Sequence, residues 1–214
     1  MKTEIYMVRH GQSVANMQKV FLGHGDLDLS DTGRIQAECL KKFFEDIDVD
    51  IIYSSDLTRA VNTVLPLSIE KGLEINKSTM LREIYAGKWE FMPFSEIREK
   101  YPKDYETWKT GNGYDIRPTD GESMAEVWDR VYLEVLRIAR ENEGKKIVIA
   151  THHTPLKTLA HRIEGNLLDN ITKSPSIPNA SVTKFVFENG ELSLEYRANT
   201  SHLGELVTVL PMGI

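Results

Sequence analysis

The sequence predicts an α/β fold built on a mostly parallel central sheet, and three observations lead to it. Short β-branched and aromatic runs alternate with segments of helical periodicity, which is typical of parallel strands joined through helices. The 214 residues are 41% hydrophobic and 27% charged, the ordinary composition of a globular domain with a substantial core. Near the end of the chain, Asn189-Gly190 separates strand-like runs over 182–187 and 192–196, so we expect one hairpin that closes the domain.

The first part of the chain predicts three strands and two helices. In chain order they are a strand over residues 5–8, a helix over 31–45, a strand over 50–54, a helix that begins at residue 56 and a strand over 73–76. Gly11 ends the first strand at a turn. Ser30 and Asp56 are the expected N-caps, because their side chains can accept hydrogen bonds from the first turn. With Asp56 as the cap, Arg59 falls in the first turn of its helix.

A segment of about residues 85–121 differs from its surroundings. It has no clean period and is rich in bulky aromatic residues, so we expect an insertion that packs over the edge of the sheet. Regular structure then resumes with a helix whose capping box begins at Ser123. A strand over 146–151 follows, and after it a helix with Thr154 as N-cap and Pro155 as its first residue.

The charge balance argues against a nucleic-acid partner. Twenty-six basic and 32 acidic residues give a formal net charge of −6, and no basic tract offsets it. We expect no membrane partner, because no apolar run approaches spanning length and no signal segment opens the chain. The single cysteine, Cys39, predicts no intramolecular disulfide and a cytoplasmic location. Cys39 falls on a helical stripe with Ile35, Leu40 and Phe43, so we expect it in the core.

Three of the predicted strands lead to residues that suit phosphoryl chemistry. The first ends in Arg9-His10, the second leads to Arg59, and the fourth leads to His152. Because the carboxyl ends of neighbouring parallel strands meet at one edge of a sheet, we expect these side chains to converge. Arginine binds phosphate bidentately, and histidine can be a neutral nucleophile near pH 7. The helix near Pro155 would direct free backbone N–H groups at the same edge, which is a further anion-binding feature.

A leaving alkoxide also needs a proton donor, and Glu83 is the candidate. It lies shortly after the third strand and before the aromatic segment. A carboxyl group among anions and partly removed from water keeps its proton more readily, so it can act as a general acid.

Taken together, these motifs resemble the histidine phosphatase superfamily, also called phosphoglycerate mutase-like. The matching stretches follow the family's order over nearly the whole chain. They are residues 8–16, 23–26, 29–37, 54–60, 81–84, 120–123, 151–152, 178–181 and 202–203. The resemblance implies a three-layer α/β/α sandwich that forms a single domain over residues 1–214, with a small helical lid at about 85–121.

The resemblance also implies roles for the candidate residues. His10 would attack phosphorus and become a phosphohistidine. Arg9, Arg59 and His152 would bind the phosphoryl oxygens. Glu83 would protonate the leaving group and then deprotonate the attacking water. Because positioned cations stabilise a metaphosphate-like group in transfer, we expect neither a metal nor another cofactor.

Other residues would shape the pocket around the phosphate. Asn16 and the backbone near Gly23 would help to line it. His153 stands where the family often has glycine, so it would narrow the pocket or contact the substrate. We expect the aromatic residues to form the small core of the lid, with a subset from among Trp89, Phe91 and Phe94 as an apolar wall that selects the substrate. For Lys88, Arg98 and Lys100 the default is solvation on a helix surface, and contact with a second anionic group is the alternative.

The favoured function is hydrolysis of a small-molecule phosphate ester. The alternative is a phosphoglycerate mutase, which uses the same phosphohistidine but excludes water. The Glu-Arg-His-Tyr-Gly segment of the cofactor-dependent mutases is absent from residues 83–89, and no arginine pair occurs in the aromatic segment. A catalytically inactive phosphate-binding module is the third possibility, although all the core residues are present. The physiological ester and the oligomeric state stay open.

Overall fold

A computed structural model describes residues 1–209 of the chain. The strands are β1 (Thr3–Arg9), β2 (Val20–Phe21), β3 (Ile51–Ser55), β4 (Ile75–Ser78), β5 (Met92–Pro93), β6 (Lys146–Thr151), β7 (Val182–Glu188) and β8 (Glu191–Asn199). The α-helices are α1 (Val14–Gln18), α2 (Asp31–Phe43), α3 (Thr58–Lys71), α4 (Phe94–Lys100), α5 (Pro102–Thr110), α6 (Met124–Glu141) and α7 (His153–Ile163). Short 3₁₀ turns lie at Thr79–Leu81, Gly87–Trp89, Leu168–Lys173 and Gly204–Leu206.

The central sheet has the strand order β4-β3-β6-β1-β7-β8 within the described residues. The first four of these strands are parallel to one another, and β7 and β8 add antiparallel pairs at one edge. The predicted α/β class with a mostly parallel sheet is therefore confirmed. The predicted hairpin is also confirmed, and Asn189 and Gly190 take φ values of 55° and 87° at its turn, as a type I′ turn requires.

Both faces of the sheet are covered by helices, and β1 illustrates why. Ile5 and Met7 point to one face, where they join the core that includes α6 and α7. Tyr6 and Val8 point to the other face and pack with α2 and α3. Alternate residues of an extended strand face opposite sides, so a continuous apolar run needs a helical layer on each. Each such buried side chain stabilises the fold by about 1.5–3 kcal/mol relative to exposure.

The aromatic segment contains α4 and α5 and shares a two-stranded ribbon, β2 with β5. Its side chains form a cluster around Phe21, whose ring meets Trp89, Phe94 and Trp108 edge-on at centroid distances of 5.6, 5.6 and 5.3 Å. Phe21 and Trp89 also belong to the core cluster that contains Ile5 and Met7 of β1, so the aromatic segment extends the core on this face of the sheet.

Two predicted helix starts are wrong. Helix α3 begins at Thr58 with Leu57 in the N-cap position, because the Asp56 carboxylate instead accepts two hydrogen bonds from the Arg82 guanidinium, at 2.7 and 2.5 Å. Helix α7 begins at His153, so Thr154 lies inside its first turn and is not the cap.

The third strand and the position of Cys39 also differ from expectation. The strand lies two residues later than predicted, at β4, because Gly72 ends α3 in a left-handed conformation and Ile75 is the first residue to pair with β3. Cys39 is only half-buried and Ile35 is exposed. The face of helix α2 that points inward includes Gln36 and not Ile35. The buried side-chain amide of Gln36 accepts from the Gln12 N–H and donates to the Leu206 carbonyl.

None of the helices within residues 1–209 is both long enough and apolar enough to cross a membrane.

Candidate active site

The carboxyl ends of β1, β3 and β6 meet at one cleft. Arg9 pairs with Thr151 in the register of β1 and β6, so the next residues, His10 and His152, lie side by side with ring centroids 5.1 Å apart. The predicted residues that line the cleft are Arg9, His10, Asn16, Gly23, Arg59, Glu83 and His153. His152 is fully buried and is not among the residues that line the cleft.

One ring nitrogen of His10 is hydrogen-bonded, and the other has no hydrogen-bond partner in the described residues. Nδ1 lies 2.7 Å from the Gly11 carbonyl, and a carbonyl only accepts, so Nδ1 carries the proton in this arrangement. The pKa of His10 is held well below its usual value by burial and by the charges of Arg59 and Arg9. A neutral ring protonated at Nδ1 presents a lone pair on Nε2, which is the arrangement of a nucleophile.

Two buried guanidinium groups flank His10. Arg9 and Arg59 are 1% and 2% exposed, and neither forms an ion pair with a carboxylate in the described part of the chain. Arg59 donates to the carbonyls of Gly23 and Gly25, each at 2.8 Å. Arg9 donates to the Ile177 carbonyl, and its Nε has no partner within residues 1–209.

Burial lowers the pKa of both arginines to about 10, so both are still cations at neutral pH. Two buried cations without a carboxylate partner are costly. A bound anion would compensate that cost, so the pair predicts an anion site next to His10.

His152 is oriented by a contact that the sequence did not reveal. Its Nε2 lies 2.8 Å from the Ser55 hydroxyl, and the same oxygen accepts a longer hydrogen bond of 3.4 Å from the Leu57 N–H. In the tautomer in which the Ser55 hydroxyl donates to Nε2, the proton of the neutral ring is on Nδ1. Nδ1 has no partner in the described residues. That His152 donates to an oxygen of the bound anion stays a prediction, because His152 is not among the residues that line the cleft.

Glu83 occupies the N-terminus of α7. Its two carboxylate oxygens each lie 3.3 Å from the Thr154 N–H, and one accepts from the Ile84 N–H at 2.9 Å. The backbone carbonyl of Glu83 accepts from Arg130 at 3.0 Å and lies 2.9 Å from His24 Nε2. The helix start that was predicted to bind a substrate anion thus holds the side chain of Glu83.

Asn16 lies in α1 and Gly23 lies just after β2, both in the segment that joins β1 to α2. The Asn16 carbonyl oxygen accepts from Ser13 and Asn179, both at 3.1 Å. Its amide nitrogen therefore points away from these donors. Gly23 has a φ of 53°, and a Cβ there would lie 2.5 Å from the Cβ of Ala86, so only glycine fits. Its carbonyl binds Arg59, which ties the loop to the anion site.

The outer wall of the cleft differs in part from prediction. Phe94 lines it, but Trp89 is fully buried in the core and Phe91 is 55% exposed outside the cleft. Lys88 and Lys100 do not reach the cleft, because each pairs with an acidic neighbour, Asp120 and Glu96, at 2.8 and 2.6 Å.

The cations that do line this wall, besides the arginines, are Lys109 and Lys157. The sequence held one signal for Lys157, which stands four residues after His153 and therefore on the same face of the helix. No group of three His, Cys, Asp or Glu side chains within residues 1–209 is arranged to hold a metal ion.

The whole arrangement suits transfer of a phosphoryl group. It combines a neutral imidazole, two fixed cations, an N–H donor on a second histidine and one carboxyl group beside the anion site. Such fixed donors stabilise the charge that spreads over the three equatorial oxygens in the transition state.

Comparison with known proteins gives a consistent result. Residues 5–200 match the family model of the histidine phosphatase superfamily (branch 1). Phosphoserine phosphatase 1 of Hydrogenobacter thermophilus is 30% identical over 202 residues, which cover 94% of this chain and 95% of that protein. A 2,3-bisphosphoglycerate-dependent phosphoglycerate mutase of Allorhizobium ampelinum is 33% identical over 180 residues, which cover 79% of this chain and 81% of that protein.

Among solved structures, Bacillus stearothermophilus YhfR is similar with a TM-score of 0.89 and 29% identity, over 94% of this chain and 98% of that one. The solved structure thus shares the fold, and the proteins similar in sequence include both a phosphatase and a mutase.

Proposed function

The chain belongs to the histidine phosphatase superfamily, and we propose that it hydrolyses small phosphate monoesters through a phosphohistidine on His10. The observation that supports this most is the state of the His10 ring. Nδ1 is bonded to the Gly11 carbonyl, the ring is neutral because burial and two arginines lower its pKa, and Nε2 is left free beside those arginines.

In the first step, the Nε2 lone pair of His10 attacks phosphorus as the bond from phosphorus to the leaving oxygen breaks. Glu83, in its protonated form, gives its proton to that oxygen, so an alcohol leaves. Arg9, Arg59 and the Nδ1–H of His152 bind the three phosphoryl oxygens. The His10 Nδ1–H keeps its bond to the Gly11 carbonyl, which stabilises the positive charge of the phosphorylated ring.

In the second step, water attacks the phosphohistidine. The Glu83 carboxylate takes a proton from the water, the bond from phosphorus to Nε2 breaks, and inorganic phosphate leaves. Glu83 ends the cycle protonated and His10 ends it neutral, so the enzyme returns to its starting state.

Hydrolysis is favoured over mutase activity by the character of the cleft wall. A mutase must hold a bisphosphate and keep water from the phosphohistidine, which calls for additional cations. Within the described residues, the segment 85–121 gives the wall a single cation, Lys109, together with the apolar side chains of Phe94, Trp108 and Ile116.

The test is to measure where the phosphoryl group goes. Purified protein is given a panel of phosphate monoesters, and free phosphate is followed, with His10→Ala as the inactive control. In parallel, 3-phosphoglycerate is supplied with 2,3-bisphosphoglycerate, and 2-phosphoglycerate is measured. We expect phosphate release that depends on His10. Rapid isomerisation with little free phosphate would make the protein a mutase, and binding of esters without turnover would make it an inactive module.

A further inference from the structure

The stretch of residues 120–123 has no part in the proposed reaction, yet it carries a largely buried ion pair. Glu122 precedes α6, and its carboxylate accepts two hydrogen bonds from the guanidinium of Arg130 on that helix, at 2.5 and 2.8 Å. The side chains of Arg130 and Glu122 are 14% and 15% exposed. A buried ion pair is by itself weak evidence for stability, because removing two charges from water is costly. The other hydrogen bonds of the Arg130–Glu122 pair therefore matter more than the pairing itself.

Those other hydrogen bonds go to the backbone around Glu83. Arg130 donates to the carbonyls of Met80 and Glu83, at 2.8 and 3.0 Å. The Glu122 carboxylate accepts from the Tyr85 N–H at 3.1 Å, and the Glu122 N–H donates to the Tyr85 carbonyl at 2.9 Å. The chain on both sides of the Glu83 side chain is thus bound to the same pair of residues.

The backbone around Glu83 has no regular structure of its own. One 3₁₀ turn, Thr79–Leu81, ends before it and another, Gly87–Trp89, begins after it, so residues 82–86 belong to no helix or strand. Backbone groups in such a segment need partners elsewhere in the fold. The Glu83 carboxylate itself has one hydrogen bond of 2.9 Å, from the N–H of the next residue, and two of 3.3 Å, from the Thr154 N–H. These few contacts are weak restraints on a group that must be held to within about 0.5 Å.

We propose that Arg130 and Glu122 are positioning residues for Glu83, which hold its carboxyl group where it reaches the leaving oxygen. An arginine suits this role because its planar guanidinium presents five N–H donors in a fixed geometry. One side chain can therefore bind a carboxylate and two backbone carbonyls together. His24 supports the same point, since its Nε2 lies 2.9 Å from the Glu83 carbonyl. This inference rests on the proposed phosphatase function, because it concerns the residue that gives the proton in that reaction.

The experiment compares esters with poor and good leaving groups. The poor one is the alkyl phosphate that the unmodified protein hydrolyses fastest, the good one is nitrophenyl phosphate, and the readout is the ratio of their kcat/KM values. Arg130→Met should lower kcat/KM for the alkyl ester by about tenfold to a hundredfold, the cost of misplacing a catalytic group by about 1 Å. The value for nitrophenyl phosphate should change little, because its leaving group needs no proton. A general loss of structure would lower both values alike.

A double-mutant cycle separates an effect through Glu83 from any other effect. In the Glu83→Gln background, Arg130→Met should cause no further loss on the alkyl ester, because the site then has no proton to position. Arg137→Met is the matched control. Arg137 lies on the same helix and makes the same two-bond pairing with Glu134, both bonds at 2.9 Å. Its ratio of kcat/KM values should equal that of the unmodified protein.

Three results would overturn the proposal: equal losses on both esters in Arg130→Met, an unchanged ratio in that variant, or a further loss in the Glu83→Gln background. If urea unfolding shows that Arg130→Met does not fold, Arg130→Lys and Glu122→Gln provide the same test. A lysine can still pair with Glu122 but cannot also span two carbonyls, and a glutamine keeps only one acceptor oxygen. Both variants should lower the ratio by less than Arg130→Met, and an unchanged ratio in both would refute the positioning role.

Failure of the proposed function gives a different result. If no ester is hydrolysed, or if Glu83→Gln leaves the ratio unchanged, the proposed reaction is wrong. Amide hydrogen exchange of the peptide that spans residues 80–86 then tests the positioning alone. Faster exchange in Arg130→Lys than in Arg137→Lys would support it, and equal exchange in the two variants would refute it.

Discussion

Replacing Glu83 with glutamine should remove the transferable proton from the site and leave the position of residue 83 unchanged. The glutamine carbonyl oxygen can still accept from the Ile84 and Thr154 N–H groups, which lie 2.9 and 3.3 Å from the carboxylate. The backbone of residue 83 remains held by Arg130 and His24. The change in rate therefore reports the lost proton and not a lost position.

The size of the effect should depend on the leaving group. General acid catalysis contributes about 10²–10⁴-fold, which corresponds to about 2.7–5.4 kcal/mol. An alkyl ester needs the whole of this contribution, because an alkoxide is a poor leaving group. Nitrophenolate leaves without a proton, so kcat/KM for nitrophenyl phosphate should change little in Glu83→Gln.

The second step gives an independent signature in the same variant. Without a base at residue 83, water attacks the phosphohistidine slowly, so kcat should fall even for nitrophenyl phosphate. Stopped-flow measurement should then show a burst of about one nitrophenolate per active site, followed by a slow phase. Equal losses of kcat/KM on alkyl and nitrophenyl esters would refute the acid role, and a missing burst would refute the base role.

Three further predictions follow from the same contacts. Ser55→Ala should lower kcat/KM by up to about tenfold, which is the contribution of one buried hydrogen bond, and Ser55→Thr should restore it. If the ¹⁵N signal that reports the His152 tautomer were unchanged in Ser55→Ala, Ser55 would not be the residue that positions His152. Because burial holds the pKa of His10, His152 and His153 well below 6.5, the unfolded chain binds protons first as pH falls below 6.5. Each of these histidines should therefore lower the free energy of unfolding in urea by up to about 1.4 kcal/mol per pH unit. His10→Ala should reduce the slope by about one such contribution, and a flat profile from pH 6.5 to 5.5 would be inconsistent with buried neutral histidines. Inorganic phosphate at about 100 times its Kd should raise Tm by about 5–10 °C, and Arg59→Met should lose most of that shift; an equal shift in the variant would place the anion elsewhere.

The convergence of the site was predictable because it follows from the topology of the sheet. Arg9 and His10 end one strand and His152 follows another, and parallel strands align their carboxyl ends whatever their order. The continuous apolar run over residues 5–8 likewise fits a strand that is buried on both faces. These features depend on local pattern and on the general geometry of α/β folds.

The hydrogen bonds that orient the site residues could not be predicted from the sequence, because they join residues that are distant along the chain. Ser55 meets His152 across 97 positions of the chain, and Glu83 reaches the Thr154 N–H across 71. Asp56 has the residue type of an N-cap, but Arg82 competes for its carboxylate. No local propensity reveals such competition.

The central claim is that His10 carries the phosphoryl group, and a phosphoenzyme measurement tests it most directly. Protein mixed with an ester labelled in its phosphoryl group is quenched with base within the first turnover and analysed by peptide mass spectrometry. We predict one acid-labile, alkali-stable phosphoryl group on the peptide that contains His10, more abundant in Glu83→Gln and missing in His10→Ala. Hydrolysis that proceeds at full rate with no labelled histidine, or with the label on another residue, would contradict the account.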